Sequence, residues 1–187
     1  MIRAIIFALV LAPLVSHGQL VVGVTAQDAG TRERILAVAK SQIGITEKTG
    51  NNDGREIDKY LATTGLEGTG APYCACFVRW VYDASGLRKT GPRSALAASW
   101  VQAPTWTLAH GGRTPMSGDP WGIWFQSKGR IAHTGLVAQW GKSVVVTIEA
   151  NTSPDAIAGS AADRNGDGVW SKRRLIKQIY SVRDWLD

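Results

Sequence analysis

The stretch that most constrains this chain is residues 71–84, APYCACFVRWVYDA. Pro72 suits a helix start, because it has no N–H to leave unpaired and its φ is already helical. Cys74 then falls in the first turn, where free backbone N–H groups and the helix dipole favour a thiolate. Phe77, Trp80, Val81 and Ala84 follow at helical spacing and form an apolar stripe, so the helix belongs in a core. A sulfur presented from the start of a rigid, buried helix suits nucleophilic catalysis, provided the chain also supplies a base.

Two more helices are predicted ahead of it. Thr31 can cap a helix over 32–43, with Ile35, Leu36, Val38, Ala39 and Ile43 mostly on one side and Gly44 at its end. After the polar loop 46–52, Asp53 and Glu56 have the spacing of a capping box, and Ile57, Tyr60 and Leu61 continue at helical spacing. Gly65, Gly68 and Gly70 give a loose approach to the cysteine helix, which stops at Gly86, and Ser94 can cap a short helix over 95–101. From residue 104 the pattern turns strand-like, with candidate strands at 121–126, 133–138, 143–149 and 169–182 and a hairpin tip at Gly141-Lys142. Helices first and strands second imply an α+β domain with an antiparallel sheet.

The N-terminus reads differently. Arg3, the apolar run Ala4 to Val15, and the small residues Ser16 and Gly18 make a secretory signal peptide of residues 1–18, with cleavage as late as residue 26 as an alternative. Its twelve apolar residues, interrupted by Pro13, are too few to span a bilayer, so no membrane association is expected after cleavage. Residues 19–30 are expected to be a flexible lead-in and 31–187 a catalytic domain, secreted or periplasmic and monomeric. The chain of 187 residues suits one domain with its own core. Without residues 1–18 it keeps 20 basic and 15 acidic residues, a net charge of +5 that suits a polyanionic surface such as bacterial cell wall. Nucleic acid is not the expected partner: the longest basic block is Lys172-Arg173-Arg174, and no zinc or recognition-helix motif accompanies it.

Only two histidines follow the signal region. His110 lies in the loop-like AHGGRTP, whereas His133 begins a strand in IAHTGLVAQW, with Gly135 allowing close approach of a neighbour. If strands 133–138 and 143–149 form a hairpin, Glu149 or Asn151 comes level with His133 and can accept its second ring N–H. Cys76, two residues after Cys74, points about 200° away on a helix. The two are therefore read as free thiols, Cys74 reactive and Cys76 packing. The plainer alternative is a buried structural cysteine, a surface histidine and an ordinary strand-end carboxylate.

APYCACFVRWV resembles the cysteine box of CHAP-type cysteine peptidases and amidases, in which a Trp or Tyr precedes the nucleophile and Phe-Val follows a small-residue pair. IAHTGLV resembles their histidine box and IEANTS their Glu-x-Asn box. The likeness covers roughly residues 32–180 and takes in Glu47, Asn52, Tyr60-Leu61 and the turn RNGDG at 164–168. It implies a papain-like fold, related to NlpC-type peptidoglycan hydrolases, and cleavage of peptidoglycan stem-peptide amide bonds by an amidase or endopeptidase. Cys74 matches the nucleophile, His133 the base, and Glu149 and Asn151 the groups that orient it. The Cys74 N–H is one expected oxyanion donor, with Asn52 a candidate for the second. Tyr73, Trp100, Trp121 and Trp124 could line a substrate groove, with core packing the competing fate for each. The segment DPWGIWF at 119–125 departs from the family's pattern of Gly-Asp and an aliphatic strand.

No cofactor enters this scheme, and no metal. Asp163 to Gly168 match the first half of a calcium loop, but its twelfth position is Arg174, so a hairpin turn is the better fit. Two alternatives stand beside the hydrolase: a catalytically inactive wall-binding module of the same fold, and a secreted antibacterial toxin using the same chemistry.

Overall fold

A helix that is apolar on nearly every side has to be enclosed. In the computed structural model, which describes residues 25–156 and 159–187, helix α3 (Cys74–Ala84) buries eight of its eleven residues. Around it pack helices α1 (Ala26–Lys40) and α2 (Arg55–Ala62) and strands β4 (Arg130–Trp140) and β5 (Val144–Thr152). The shared core joins Ile35 of α1, Ile57, Tyr60 and Leu61 of α2, Phe77, Val78 and Val81 of α3, and Leu136, Ile148 and Ala150 of the sheet. Tyr60 is its aromatic hub, edge-on to Phe77 and Trp80. Each such fully buried side chain contributes about 1.5–3 kcal/mol over leaving it in water.

The remaining strands are β1 (Trp106–Thr107), β2 (Gly111–Gly112), β3 (Pro120–Phe125), β6 (Gly168–Leu175) and β7 (Ser181–Val182). They join β4 and β5 in a seven-stranded sheet ordered β2-β1-β7-β3-β4-β5-β6, antiparallel throughout. Helices precede strands along the chain, so the domain is α+β. A second apolar cluster, including Trp121, Ile123, Phe125, Val137, Val145, Ile179 and Val182, draws on β3, β4, β5 and β7. No described helix is long and apolar enough to cross a membrane.

Several boundaries differ from the sequence-based expectations. The signal peptide at 1–18 lies outside the described residues, but the lead-in ends sooner than expected, because residues 26–30 are already helical. Thr25 caps α1, reciprocally with Asp28, while Thr31 sits inside and donates its hydroxyl to the Gln27 carbonyl. The helix stops at Lys40, leaving Ile43 exposed. Asp53 does not cap α2: its carboxylate accepts from the backbone N–H and hydroxyl of Thr49, closing the preceding loop. The single strand expected over 169–182 is two. After Leu175 a 3-10 turn carries the chain away from the β6 edge, and β7 enters between β1 and β3.

Candidate active site

Cys74 is the first residue of α3, with Tyr73 at the N-cap and Pro72 outside the helix. The first intrahelical bond runs from the Phe77 N–H to the Tyr73 carbonyl at 2.8 Å, so the N–H groups of Cys74, Ala75 and Cys76 have no intrahelical acceptor. Tyr73 is held from the other side: its hydroxyl donates to Glu47 at 3.1 Å, and Glu47 also accepts the Asn52 N–H at 2.9 Å. The loop at 47–52 thus fixes the residue that starts the helix. Burial alone would push the Cys74 thiol up, but hydrogen bonding to His133, the imidazole charge and the backbone N–H groups of Thr134 and Ala75 bring it below its ordinary value. Cys74 keeps 4 % of its surface exposed.

His133 and Glu149 meet across the β4–β5 hairpin. Gly135 pairs with Glu149 in register, which makes His133 the diagonal neighbour of the carboxylate. Glycine is required at 135. A Cβ there would stand 2.7 Å from the Ile148 carbonyl, 3.0 Å from the Trp121 ring and 3.1 Å from Glu149 Cγ. His133 Nε2 lies 3.0 Å from Glu149 Oε2, and both residues are fully buried. Nδ1 makes no hydrogen bond among the described residues, while the Cys74 and His133 side chains lie close enough to shift each other's proton affinity. Burial disfavours the imidazolium, but the bonds and charges of Cys74 and Glu149 outweigh it and raise His133 to about 9. A lowered thiol beside a raised imidazole favours transfer of the thiol proton to the ring.

Behind Glu149 stands Arg174, which the sequence had suggested only as part of a basic block and as a mismatch for calcium. Its Nε donates to Glu149 Oε1 at 2.6 Å and its Nη2 to Oε2, and Thr147 adds a hydroxyl donor. Asp163 accepts from the same guanidinium at 2.5 and 3.2 Å, and Lys172 reaches Asp163 at 3.0 Å. The first position of the calcium-like pattern is therefore paired with the side chain at its twelfth. Residues 164–168 are not a tight hairpin tip either, since β5 and β6 are joined by the whole segment 153–167. Lys172 and Arg174 are both buried while Ser171, Arg173 and Leu175 face outward, so the two cations share the inner face of β6.

The other expected site residues are placed as follows. Asn151 does not touch the imidazole; its amide donates to Asn52 at 2.6 Å and to the Gly166 carbonyl. Asn52 donates its own amide to the Gly70 carbonyl at 2.9 Å and is not aimed at an oxyanion, so both asparagines tie the 47–52 loop to the end of β5. Tyr73, Trp100 and Trp121 are fully buried and cannot line a groove. Trp100 packs edge-on against Tyr82 and Trp185, and Trp121 lies between His133 and the Arg174 guanidinium. Trp124 alone of the four is exposed. It pairs with Tyr180 at 5.4 Å over a depression of about 310 Å³ shared with Leu108, Ile123 and Lys177. Cys76 is buried against Thr64, and burial pushes its thiol up to about 11. No protein-family model and no curated protein matches this chain.

Proposed function

We propose that the protein is an exported cysteine hydrolase of papain-like design that cleaves amide bonds of peptidoglycan stem peptides. The observation that carries it is the Cys74–His133–Glu149 arrangement: a sulfur at a helix start, a base beside it, and a buried carboxylate on the base's far nitrogen. The likeness of the three boxes to CHAP-type enzymes and the positive charge of the chain support the choice of substrate. Burial of Tyr73, Trp100 and Trp121 weakens the wall-binding alternative, which relied on aromatic groove residues.

In this scheme the Cys74 proton passes to His133 Nδ1, and the thiolate attacks the carbonyl carbon of the scissile amide. The displaced electron pair rests on the carbonyl oxygen, facing the Cys74 backbone N–H. The intermediate collapses as the C–N bond breaks and His133 gives its proton to the departing amine. Water, deprotonated by His133, then attacks the thioester; the C–S bond breaks and the thiolate is restored. Incubation with purified peptidoglycan and mass spectrometry of the released muropeptides tests the scheme and identifies the bond. Cys74→Ala and His133→Ala are expected to lower cleavage by about 10³-fold or more. Cleavage at the wild-type rate by either variant sinks the proposal.

A further inference from the structure

The scheme requires the Cys74 proton to stop at the imidazole. A buried carboxylate next to that imidazole is itself a competent proton acceptor, because burial disfavours its charge. If Glu149 were protonated it could donate to Nε2, and the ring would then hold its own proton on Nδ1, toward the sulfur, with no lone pair left for the thiol. Something must keep Glu149 an acceptor only.

We propose that Arg174 is a positioning residue of this site: it locks Glu149 as a carboxylate, so that His133 carries its proton on Nε2 and turns a free Nδ1 to Cys74. Asp163 and Lys172 hold Arg174 in place. The guanidinium is 2 % exposed and uses both ends of its fork. Nε and Nη2 grip the two oxygens of Glu149, while Nη2 and Nη1 grip the two of Asp163. Its central carbon lies 5.1 Å from the centre of the Trp121 ring, which meets His133 in an edge-type contact at 5.6 Å between centres. Lys172, donating to Asp163, Thr152 and the Ser153 carbonyl, closes the far end. The groups facing Glu149 are thus His133 from β4, Arg174 from β6 and Thr147 of its own strand. Once the thiol proton has passed to the ring, the charges alternate from the sulfur outward: Cys74 thiolate, His133 imidazolium, Glu149, Arg174, Asp163, Lys172. Burial opposes the Glu149 charge, yet Arg174, ahead of His133, holds the carboxyl well below the usual range. A lysine could supply the charge but not two parallel bonds to each carboxylate.

The inference rests on Cys74 and His133 acting as nucleophile and base, and its test needs no substrate. The rate of Cys74 alkylation by iodoacetamide is followed against pH in the full chain. In Arg174→Met the acid limb is expected to move up by about one pH unit or more, with about tenfold slower alkylation along that limb. Arg174→Lys should restore part of the shift, and Asp163→Asn should show a smaller shift in the same direction. A folded Arg174→Met protein with the wild-type limb overturns the proposal. If that variant does not fold, Asp163→Asn and Lys172→Met decide, and an unmoved limb in both overturns it as well. Lack of peptidoglycan cleavage by the wild type would remove the proposed substrate and leave this measurement intact.

Discussion

Two buried ionic clusters in this molecule use the same side chains under different accounting of charge. In one, Glu149 and Asp163 share Arg174, and each has a further cation of its own, His133 or Lys172. In the other, Arg32 of α1 reaches Asp119 at 2.6 Å and Asp184 at 2.5 Å, joined among the described residues by Arg113 alone, which pairs with Asp184. The second cluster ties α1 to the start of β3 and to the C-terminal segment, and contains neither thiol nor imidazole. The carboxylates of the first are held below their ordinary range. In the second, burial and the neighbouring Asp184 outweigh Arg32 and raise Asp119 to about 6. Glu149 and Asp163 each add a second cation to the shared guanidinium and keep their charge, whereas Asp119, among the described residues, has the shared guanidinium alone and tolerates a proton.

The sharpest way to break this division is to strike each cluster and read both activity and stability. Glu149→Gln should lower peptidoglycan cleavage by about 10²–10⁴-fold, since the neutral amide can turn the imidazole to the wrong tautomer. Arg32→Met should instead lower stability by about 3–5 kcal/mol in urea denaturation, because Asp119 and Asp184 are left buried without their main partner. Cleavage per folded molecule should be unchanged in Arg32→Met. A folded Arg32→Met protein that has lost cleavage would merge the two clusters into one.

The sequence disclosed the two clusters unequally. The placement of Cys74, His133 and Glu149 was legible because it follows from local features: a helix start, a strand start, and a hairpin short enough for register to be counted. The α+β order was legible from the change of hydrophobic period. Arg174 and Asp163 were not, since their pairing depends on where a fifteen-residue connection folds back, and no local periodicity encodes that. Gly166 marks the place: a Cβ there would stand 2.1 Å from the Ser153 nitrogen, so the turn crosses directly over the end of β5. The aromatic residues misled for a related reason. Trp121 and Trp100 look the same in sequence as groove residues, and only tertiary packing decides which face of the chain they join. Arg32 carries no local signal of its role, since its partners lie 87 and 152 positions away.

The clusters should also respond to pH with opposite sign. Asp119 binds its proton more tightly folded than unfolded, where the ordinary value is 3.8. Stability from this group is therefore present below about pH 4 and lost as pH rises to about 6, by up to about 3 kcal/mol. Glu149 and Asp163 act the other way: their contribution is present above the ordinary carboxylate range and lost as pH falls below that range toward their lowered folded values. Urea midpoints for Asp119→Asn should lack the decline between pH 4 and 6 that the wild type shows, while keeping the loss on further acidification. Parallel wild-type and variant curves would remove the contrast.

The smallest expected effect separates the two roles of His133. Its imidazolium persists to about pH 9, and the departing amine takes its proton from that ring. Above this pH, cleavage should fall about tenfold per unit, as general-acid catalysis is lost. Alkylation of Cys74 should not fall with it, because the thiolate survives deprotonation of its neighbour and iodoacetamide needs no proton from the enzyme. Asp119→Asn should leave both curves in place, since nothing in the α1 cluster exchanges a proton with the sulfur. If cleavage instead keeps pace with alkylation beyond pH 10, the amine is protonated by some other group, and His133 is a base without being the acid. The difference between the two pH curves thus measures what the imidazole adds beyond activating the sulfur, a quantity that neither an alanine variant nor a single assay can isolate.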